Sequence, residues 1–194
     1  MRTLIFASNN AHKLSEIRNL LENIVEIQSL KDINLEGDIP ETSDTLEGNA
    51  TQKAEWIYNR IGQDCFADDT GLEVDALGGA PGVHSARYAT DGHDFAANNR
   101  LLLKNLEGIT DRTARFRTVI ALILDGVEYT FEGRVEGTIA TAESGSEGFG
   151  YDPLFVPSGE ITTFAQMSAE KKNSISHRGR AVAKLVNFLK DGKL

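Results

Sequence analysis

Two adjacent aspartates, Asp68 and Asp69, are the residues of this sequence whose types and spacing are best suited to chemistry. They follow the apolar residues 65–67, which predict a short buried strand, and they precede Gly71. Neighbouring carboxylates repel each other unless a cation or a turn compensates, and their oxygens suit Mg²⁺. Asp69 could then also orient or deprotonate an attacking water. An acidic turn that caps backbone groups before Gly71 is the alternative, and the two aspartates alone leave it open.

A second polar segment lies at residues 8–13, directly after an apolar stretch and at the start of a helical pattern. Its residues are Ser8, Asn9, Asn10, Ala11, His12 and Lys13. The N–H groups and the dipole of the first helical turn would favour an anion there, which would also compensate Lys13. The segment is therefore a candidate phosphate site without a Gly-Lys-Ser/Thr signature. An ordinary N-cap beside a solvated lysine is the alternative.

Two segments nearer the C-terminus combine an aromatic residue and a group of cations. Glycines on both sides of Phe149 would free its ring to stack on a base. Residues 171–179 supply hydrogen-bond donors that could read the oxygen substituents of a purine: Lys172, His177 and Arg178. A glycine-rich hairpin loop and a cationic start to the last helix are the structural alternatives.

The elements that must position these residues follow from the apolar periodicity. It predicts strands at 3–7, 25–30, 65–67 and 154–156, and extended chain at 72–77. It predicts helices at 45–61 and 93–106, a first helix that begins after the capping residues 8–10, and a last helix that ends near Gly192. Asp125-Gly126 between two apolar runs, 116–124 and 127–135, predicts a two-residue hairpin. Early strands alternate with helices and later strands form a hairpin, so we predict an α/β fold with a mixed, partly antiparallel twisted sheet flanked by helices. Lys53 falls on the second helix, where a solvated face is its simplest interpretation.

Composition and net charge exclude some classes of function but do not identify one. The 194 residues are 40% hydrophobic and 25% charged, which is ordinary for one continuous domain spanning 1–194. A net charge of −9 argues against binding to a nucleic-acid polymer, whereas a few cations and a metal ion can hold a free nucleotide. The apolar N-terminal stretch is too short for a membrane span, so we expect a cytoplasmic protein with no membrane partner. The single cysteine, Cys65, is expected to be a small core residue.

Taken together, the motifs resemble those of the inosine triphosphate pyrophosphatase family, the Ham1-like nucleotide pyrophosphatases. The resemblance runs from Leu4 to Phe188 with its motifs in the same order, which makes it specific. The matching stretches are residues 7–13, 41–42, 47–54, 67–82, 85–88, 148–153 and 176–179. Departures are small: Ser8-Asn9-Asn10 is one of two common openings, and Thr70 replaces a frequent serine.

The resemblance implies a two-lobed α/β fold with the active site in the cleft between the lobes, a homodimer and a Mg²⁺ requirement. It implies hydrolysis of non-standard purine nucleoside triphosphates (ITP, dITP and XTP) to monophosphate and pyrophosphate, which removes them from the nucleotide pool. By position, Ser8, Asn9, Asn10, Ala11, His12 and Lys13 would hold the triphosphate, helped by Lys53. Glu41 and Asp69 would bind the metal, with Asp69 also the proton acceptor and Lys13 a second catalytic residue. Thr70 would contact the substrate, Phe149, Gly150, Tyr151 and Asp152 would bind the nucleoside, and Lys172, His177 and Arg178 would hold the base edge.

We expect direct attack of a metal-associated water on the α-phosphorus, with Mg²⁺ and Lys13 offsetting the charge that develops on the phosphates. A 6-oxo purine accepts hydrogen bonds from cationic donors, whereas the amino group of adenine would face them with another donor. Two rivals remain at this point. One is a pyrophosphatase for modified pyrimidines, and the other is a nucleotide-binding module without catalysis.

Overall fold

The protein is described here by a computed structural model that covers residues 2–191. Its helices are α1 (Ala11–Leu20), α2 (Leu46–Ile61), α3 (Phe95–Asn105), α4 (Ala169–Ile175) and α5 (His177–Lys190). Its strands are β1 (Thr3–Phe6), β2 (Glu26–Ser29), β3 (Cys65–Val74), β4 (Pro81–Gly82), β5 (Thr113–Leu124), β6 (Val127–Ile139) and β7 (Phe155–Pro157). Within the described residues, no helix has both the length and the apolar character needed to cross a membrane.

The strands form one sheet in the order β2-β1-β3-β5-β6-β7, with β4 beside β3. β1 lies parallel to β2 and to β3, while β4 is antiparallel to β3 and β7 is antiparallel to β6. The predicted α/β fold with a mixed, partly antiparallel sheet is therefore confirmed. The predicted hairpin is confirmed as well, because Asp125 and Gly126 join β5 to β6 with φ values of 51° and 78°, the sign that a two-residue hairpin turn requires.

Backbone contacts divide the described chain into two compact units. The first comprises residues 2–69, 118–133 and 178–191, and the second comprises residues 70–117 and 134–177. β3, β5 and β6 contribute residues to both units. The two units agree with the predicted two lobes, whereas the location of the active site in a cleft stays a prediction.

Each unit has an apolar core of its own. In the first, α1 and α5 contribute Ile17 and Leu185, which are fully buried beside the strand residue Phe6, and the ring of Phe6 stacks on Phe66 at 4.9 Å. In the second, the buried residues that form the hydrophobic core are Leu72, Val74, Leu102, Leu106, Ala114, Phe116, Val135, Ile139, Tyr151, Leu154, Phe155, Phe164 and Met167. On α2 the buried apolar residues recur at helical spacing, as the sequence pattern predicts: Leu46, Ala50, Ala54 and Ile57.

The sequence prediction was wrong at two places that matter for the site. Asp68 and Asp69 do not follow the end of a strand but lie in the middle of β3, which continues to Val74 before a 3₁₀ turn at Asp75–Leu77. The chain can remain extended there because cations neutralise both carboxylates, a compensation that local sequence does not reveal. The second error is α4, a short helix that the prediction merged with the start of α5. The predicted end of the last helix near Gly192 lies outside the described residues.

Cys65 is a core residue, as predicted. Its side chain is completely buried at the start of β3, and its thiol donates a hydrogen bond to the carbonyl oxygen of Ala54 at 3.3 Å. Burial raises the pKa of the thiol to about 12, and thiols react as thiolates.

We therefore expect Cys65 to resist iodoacetamide in the folded protein at pH 8 and to react fully in concentrated urea. Intact mass after a timed quench measures this directly, because the chain has one cysteine. Rapid labelling of the folded protein would contradict the burial.

Candidate active site

The polar segment before α1 is a capped helix start. The side-chain oxygen of Asn10 accepts hydrogen bonds from the backbone N–H groups of His12 and Lys13 at 3.0 and 3.1 Å, and Ser8 Oγ accepts one from the N–H of Asn10 at 3.1 Å. The N-cap is thus confirmed, whereas the solvated lysine of that interpretation is wrong, because the Lys13 side chain is only 14% exposed and contacts Asp68. The cap already engages these two N–H groups, so the charge of Lys13 is what the segment could still offer an anion. The roles of Ser8, Asn9, Ala11 and His12 at the triphosphate stay predictions.

Lys13 belongs to a buried network of four charges in the first unit. Its ammonium lies 3.0 Å from one oxygen of Asp68, and Nε of Arg178 lies 3.2 Å from the other. Arg178 also forms an ion pair with Glu16, which lies three residues after Lys13 and therefore on the same side of α1. The side chains of Asp68 and Arg178 are 0% and 2% exposed. Burial alone would raise the pKa of Asp68, but Lys13 and Arg178 outweigh it and hold that pKa well below its usual value.

The network includes two contacts that the sequence did not predict, those of Arg178 and Glu16. The structure places Arg178 between two carboxylates of the first unit, where burial opposes its charge but Glu16 and Asp68 raise its pKa. Its predicted contact with the base edge stays a prediction. Glu16 was not selected from the sequence, because an acidic residue on an amphipathic helix is ordinary. The one signal was its spacing from Lys13, which becomes informative only after Arg178 is known to lie beside it.

On β3 the next residue, Asp69, meets a different cation. Successive side chains of a strand point to opposite faces, so Asp68 and Asp69 serve different surroundings. Lys53 Nζ lies 3.1 Å from Asp69 Oδ1 and 2.5 Å from Glu41 Oε1. The expected solvated position of Lys53 is therefore wrong, since its side chain is only 6% exposed. Burial opposes the charge of Lys53, but Asp69 and Glu41 outweigh it and raise its pKa.

Asp69 retains one oxygen with no hydrogen-bond partner. Among the described residues, its Oδ2 is a buried acceptor that no protein group satisfies. Burial raises the pKa of this carboxyl despite the opposing effects of Lys53 and Lys13. A buried, unsatisfied carboxylate oxygen costs free energy unless a cation or donor completes it. The chemistry that Asp69 offers is thus that of a metal ligand or a proton acceptor.

The segment that carries Glu41 is tied to the side of α2. The backbone N–H of Thr42 donates to Gln52 Oε1, and that of Ser43 donates to Asn49 Oδ1, both at 2.9 Å. These bonds explain how an irregular segment can present Glu41 to the Lys53 ammonium. Glu41 and Asp69 thus lie around one cationic group, the ammonium of Lys53.

These two carboxylates fit a magnesium ion. Within residues 2–191, no group of three or more histidine, cysteine, aspartate or glutamate side chains comes together to hold a metal. Mg²⁺ does not need such a group, since it is usually bound by one or two carboxylates with water and substrate phosphates completing an octahedron. Glu41 and Asp69, with its unsatisfied Oδ2, supply such a pair.

The second unit contains a tight turn at Phe149–Asp152. Asp152 Oδ2 accepts hydrogen bonds from the N–H of Phe149 at 2.9 Å and from Lys172 Nζ at 2.7 Å. A Cβ atom on Gly148, whose φ is +74°, would lie 2.1 Å from that same oxygen, so only glycine fits there. The Lys172 ammonium lies 5.2 Å from the centroid of the Phe149 ring, within cation–π range. Phe149 and Asp152, predicted to bind the nucleoside, and Lys172, predicted to hold the base edge, therefore form one cluster.

The other predicted residues of the second unit are buried to different degrees. The imidazole of His177 is 3% exposed and stacks on Phe116, with ring centroids 4.5 Å apart. The Tyr151 hydroxyl donates to the carbonyl oxygen of Ser85 at 2.7 Å, and burial raises the pKa of this phenol. Thr70 and Gly150 are half-buried. Tyr151 thus ties the turn to the backbone of Ser85. The contacts of these residues with substrate stay predictions.

Comparison with known proteins shows the family of this chain. The family model described as the Ham1 family matches residues 4–188. A dITP/XTP pyrophosphatase of Porphyromonas gingivalis is 58% identical over 97% of this chain and 98% of its own length, and one of Flavobacterium johnsoniae is 51% identical over 96% and 97%. The solved structure of the Staphylococcus aureus Ham1 protein gives a TM-score of 0.88 at 38% identity, covering 98% of this chain and 99% of that one. A Ham1 protein from Coxiella burnetii gives 0.90 at 36% identity, covering 99% and 100%. This chain belongs to the Ham1 family.

Proposed function

We propose that this chain hydrolyses non-standard purine nucleoside triphosphates, namely ITP, dITP and XTP, to the monophosphate and pyrophosphate. The observation that carries the proposal is the unsatisfied Oδ2 of Asp69 beside the Lys53–Glu41 ion pair. The dITP/XTP pyrophosphatase names of relatives that align over almost the whole chain support the substrate class.

Glu41 and Asp69 are the residues that would hold Mg²⁺, which when bound would neutralise phosphate charge and acidify water. Lys53 now balances both carboxylates. In our proposal this ammonium would turn towards the phosphates of the substrate if Mg²⁺ occupied its position. Lys53 would thereby offset carboxylate charge before loading and phosphate charge after it.

Asp69 is the proton acceptor in the proposed reaction. The water oxygen forms a bond to the α-phosphorus, the bond from that phosphorus to the bridging oxygen breaks, and pyrophosphate leaves with the bonding electron pair. The proton lost by the water passes to Asp69, whose carboxylate Lys53 and the buried strand β3 hold in place. Lys13, held by Asp68, adds positive charge where the phosphates become more negative.

The turn at Phe149–Asp152 is the proposed nucleoside site. The Phe149 ring offers a stacking surface, and Lys172 supplies a cation that the ring and Asp152 already orient. A donor of this kind favours the 6-oxo group that hypoxanthine and xanthine share, whereas the amino group of adenine would leave it unpaired. The dITP/XTP pyrophosphatase names of the relatives support a purine pyrophosphatase over an enzyme for modified pyrimidines.

The assay that tests the proposal measures product identity as well as rate. With Mg²⁺, purified protein should convert ITP and XTP to monophosphate and pyrophosphate at least about 100-fold more efficiently than ATP, since unpaired polar groups discriminate strongly. EDTA should abolish turnover and added Mg²⁺ should restore it.

Release of single phosphates from ITP would contradict attack at the α-phosphorus. Binding of ITP without turnover would favour the module without catalysis. The homodimer and the cytoplasmic location stay predictions, for which size-exclusion chromatography with light scattering and cell fractionation are the direct measurements.

A further inference from the structure

Two adjacent asparagines of α3, Asn98 and Asn99, are both buried, with 2% and 3% of their surfaces exposed. Buried amides in a helix interior require hydrogen bonds, because each carries a donor group and an acceptor. Neither residue was selected from the sequence. Their partners differ in a way that separates a structural role from a functional one.

Asn98 satisfies both ends of its amide within the protein. Its Oδ1 accepts from the backbone N–H of Ala89 at 2.8 Å, and its Nδ2 donates to the carbonyl oxygen of Ala86 at 3.1 Å. These bonds hold the short 3₁₀ helix Ser85–Arg87 and the residues after it against α3. Asn98 therefore has the contacts of a structural residue.

Asn99 satisfies only one end. Its Nδ2 donates to the carbonyl oxygen of Gly150 at 3.1 Å, which fixes the amide orientation because that partner is an acceptor. Its Oδ1 is buried and has no hydrogen-bond partner among the described residues. A residue kept for stability alone would not retain such an atom, because an unsatisfied buried acceptor is destabilising.

The position of Asn99 connects it to the nucleoside turn. Phe95 precedes it by four residues and so lies on the same face of α3. The ring of Phe95 packs against Phe149 with centroids 6.0 Å apart, while Asn99 holds Gly150. One face of α3 thus supports both residues at the tip of the turn. Oδ1 shares a carbon atom with Nδ2, so the unsatisfied acceptor lies beside the turn as well.

We propose that Asn99 is a nucleoside-binding residue of this enzyme, whose amide N–H group holds Gly150 in place while its carbonyl oxygen accepts a hydrogen bond from an N–H or O–H group of the bound nucleoside. The proposal rests on the proposed function, because it deepens the role assigned to the Phe149–Asp152 turn. It predicts that Asn99 acts on the nucleoside part of a ligand and not on its phosphates.

The test compares Asn99→Leu with the matched control Asn98→Leu, two near-isosteric changes at adjacent buried positions. For Asn99→Leu we expect the KM for ITP and the Kd for IMP to rise about tenfold, with kcat within about threefold of the wild-type value. The inhibition constant of pyrophosphate, which has no nucleoside, should be unchanged. The melting temperature should change little, because a lost hydrogen bond is offset by removal of the unsatisfied oxygen. Asn98→Leu should lower the melting temperature clearly and leave the KM and the Kd unchanged.

Unchanged KM and Kd in Asn99→Leu would overturn the proposal, as would an equal loss of IMP and pyrophosphate binding. If Asn99→Leu does not fold, Asn99→Ser gives the same comparison with a smaller, polar side chain. Wild-type protein is assayed first: no release of pyrophosphate from ITP would defeat the proposed function itself, whereas an active wild type with normal Asn99 variants would defeat only this inference.

Discussion

Replacement of Asp69 by asparagine is expected to lower kcat for ITP by about 1,000-fold or more while the protein remains folded. Asparagine has the same shape and keeps an acceptor for Lys53, but it has no negative charge for a metal and is not a base. General-base catalysis alone is worth about 10²–10⁴ in rate, and a lost metal ligand adds to this. Pyrophosphate release at saturating ITP and Mg²⁺ measures the effect.

The same substitution should cost little stability. Burial opposes the charge of Asp69, and asparagine keeps an acceptor for Lys53. Glu41 remains as a carboxylate partner of the Lys53 ammonium, so no buried cation is left unpaired, and the melting temperature should change far less than in Asp68→Asn. Asp64→Asn is the matched control, because Asp64 lies one residue before the same strand and pairs with Arg2 at 3.3 Å. An Asp69→Asn enzyme with normal turnover would refute the assigned role.

Much of the fold was accessible from the sequence. A capped helix start within residues 8–13, the end of the second helix at Ile61 and the hairpin at Asp125-Gly126 were accessible because each depends on residues within a few positions. The continuity of β3 was not predicted, since two aspartates interrupt its apolar pattern. What keeps them in the strand is a set of cations up to 110 positions away in the chain, and no local pattern carries that information.

The residues of the candidate site were likewise predicted only in part. Resemblance to a family supplied residue types such as Glu41, Lys53 and Asp69, and the structure places these three around one another. Glu16 and Asn99 escaped prediction because their significance depends on a partner, Arg178 in one case and Gly150 in the other. A single acidic or amide residue on a helix is otherwise unremarkable in a sequence.

Asp68→Asn is expected to show the reverse of Asp69→Asn, with a large loss of stability. Asparagine would leave Lys13 and Arg178 largely buried without the carboxylate that both contact. Removing one partner of a buried ion pair typically costs about 3–5 kcal/mol, which in a protein of this size corresponds to a fall in melting temperature of roughly 10 °C. Urea unfolding at pH 7 measures the loss, and Asp64→Asn again serves as the control, because the side chain of Asp64 is less buried, at 21% exposed.

The pH dependence of that loss tests its cause. The pKa of Asp68 in the folded protein lies below the value of about 3.9 expected in an unfolded chain. Its contribution is therefore complete above pH 4 and is lost only as the pH falls towards the folded pKa. The difference in unfolding free energy between wild type and Asp68→Asn should be constant from pH 5 to 7 and shrink in stronger acid. A difference that persists unchanged at pH 3 would mean that shape and hydrogen bonding, rather than charge, make Asp68 necessary. Loss of turnover in Asp69→Asn and loss of stability in Asp68→Asn would together distinguish the roles of these two neighbours on β3. Asp69 would take part in the reaction, and Asp68 would keep Lys13 in place for it.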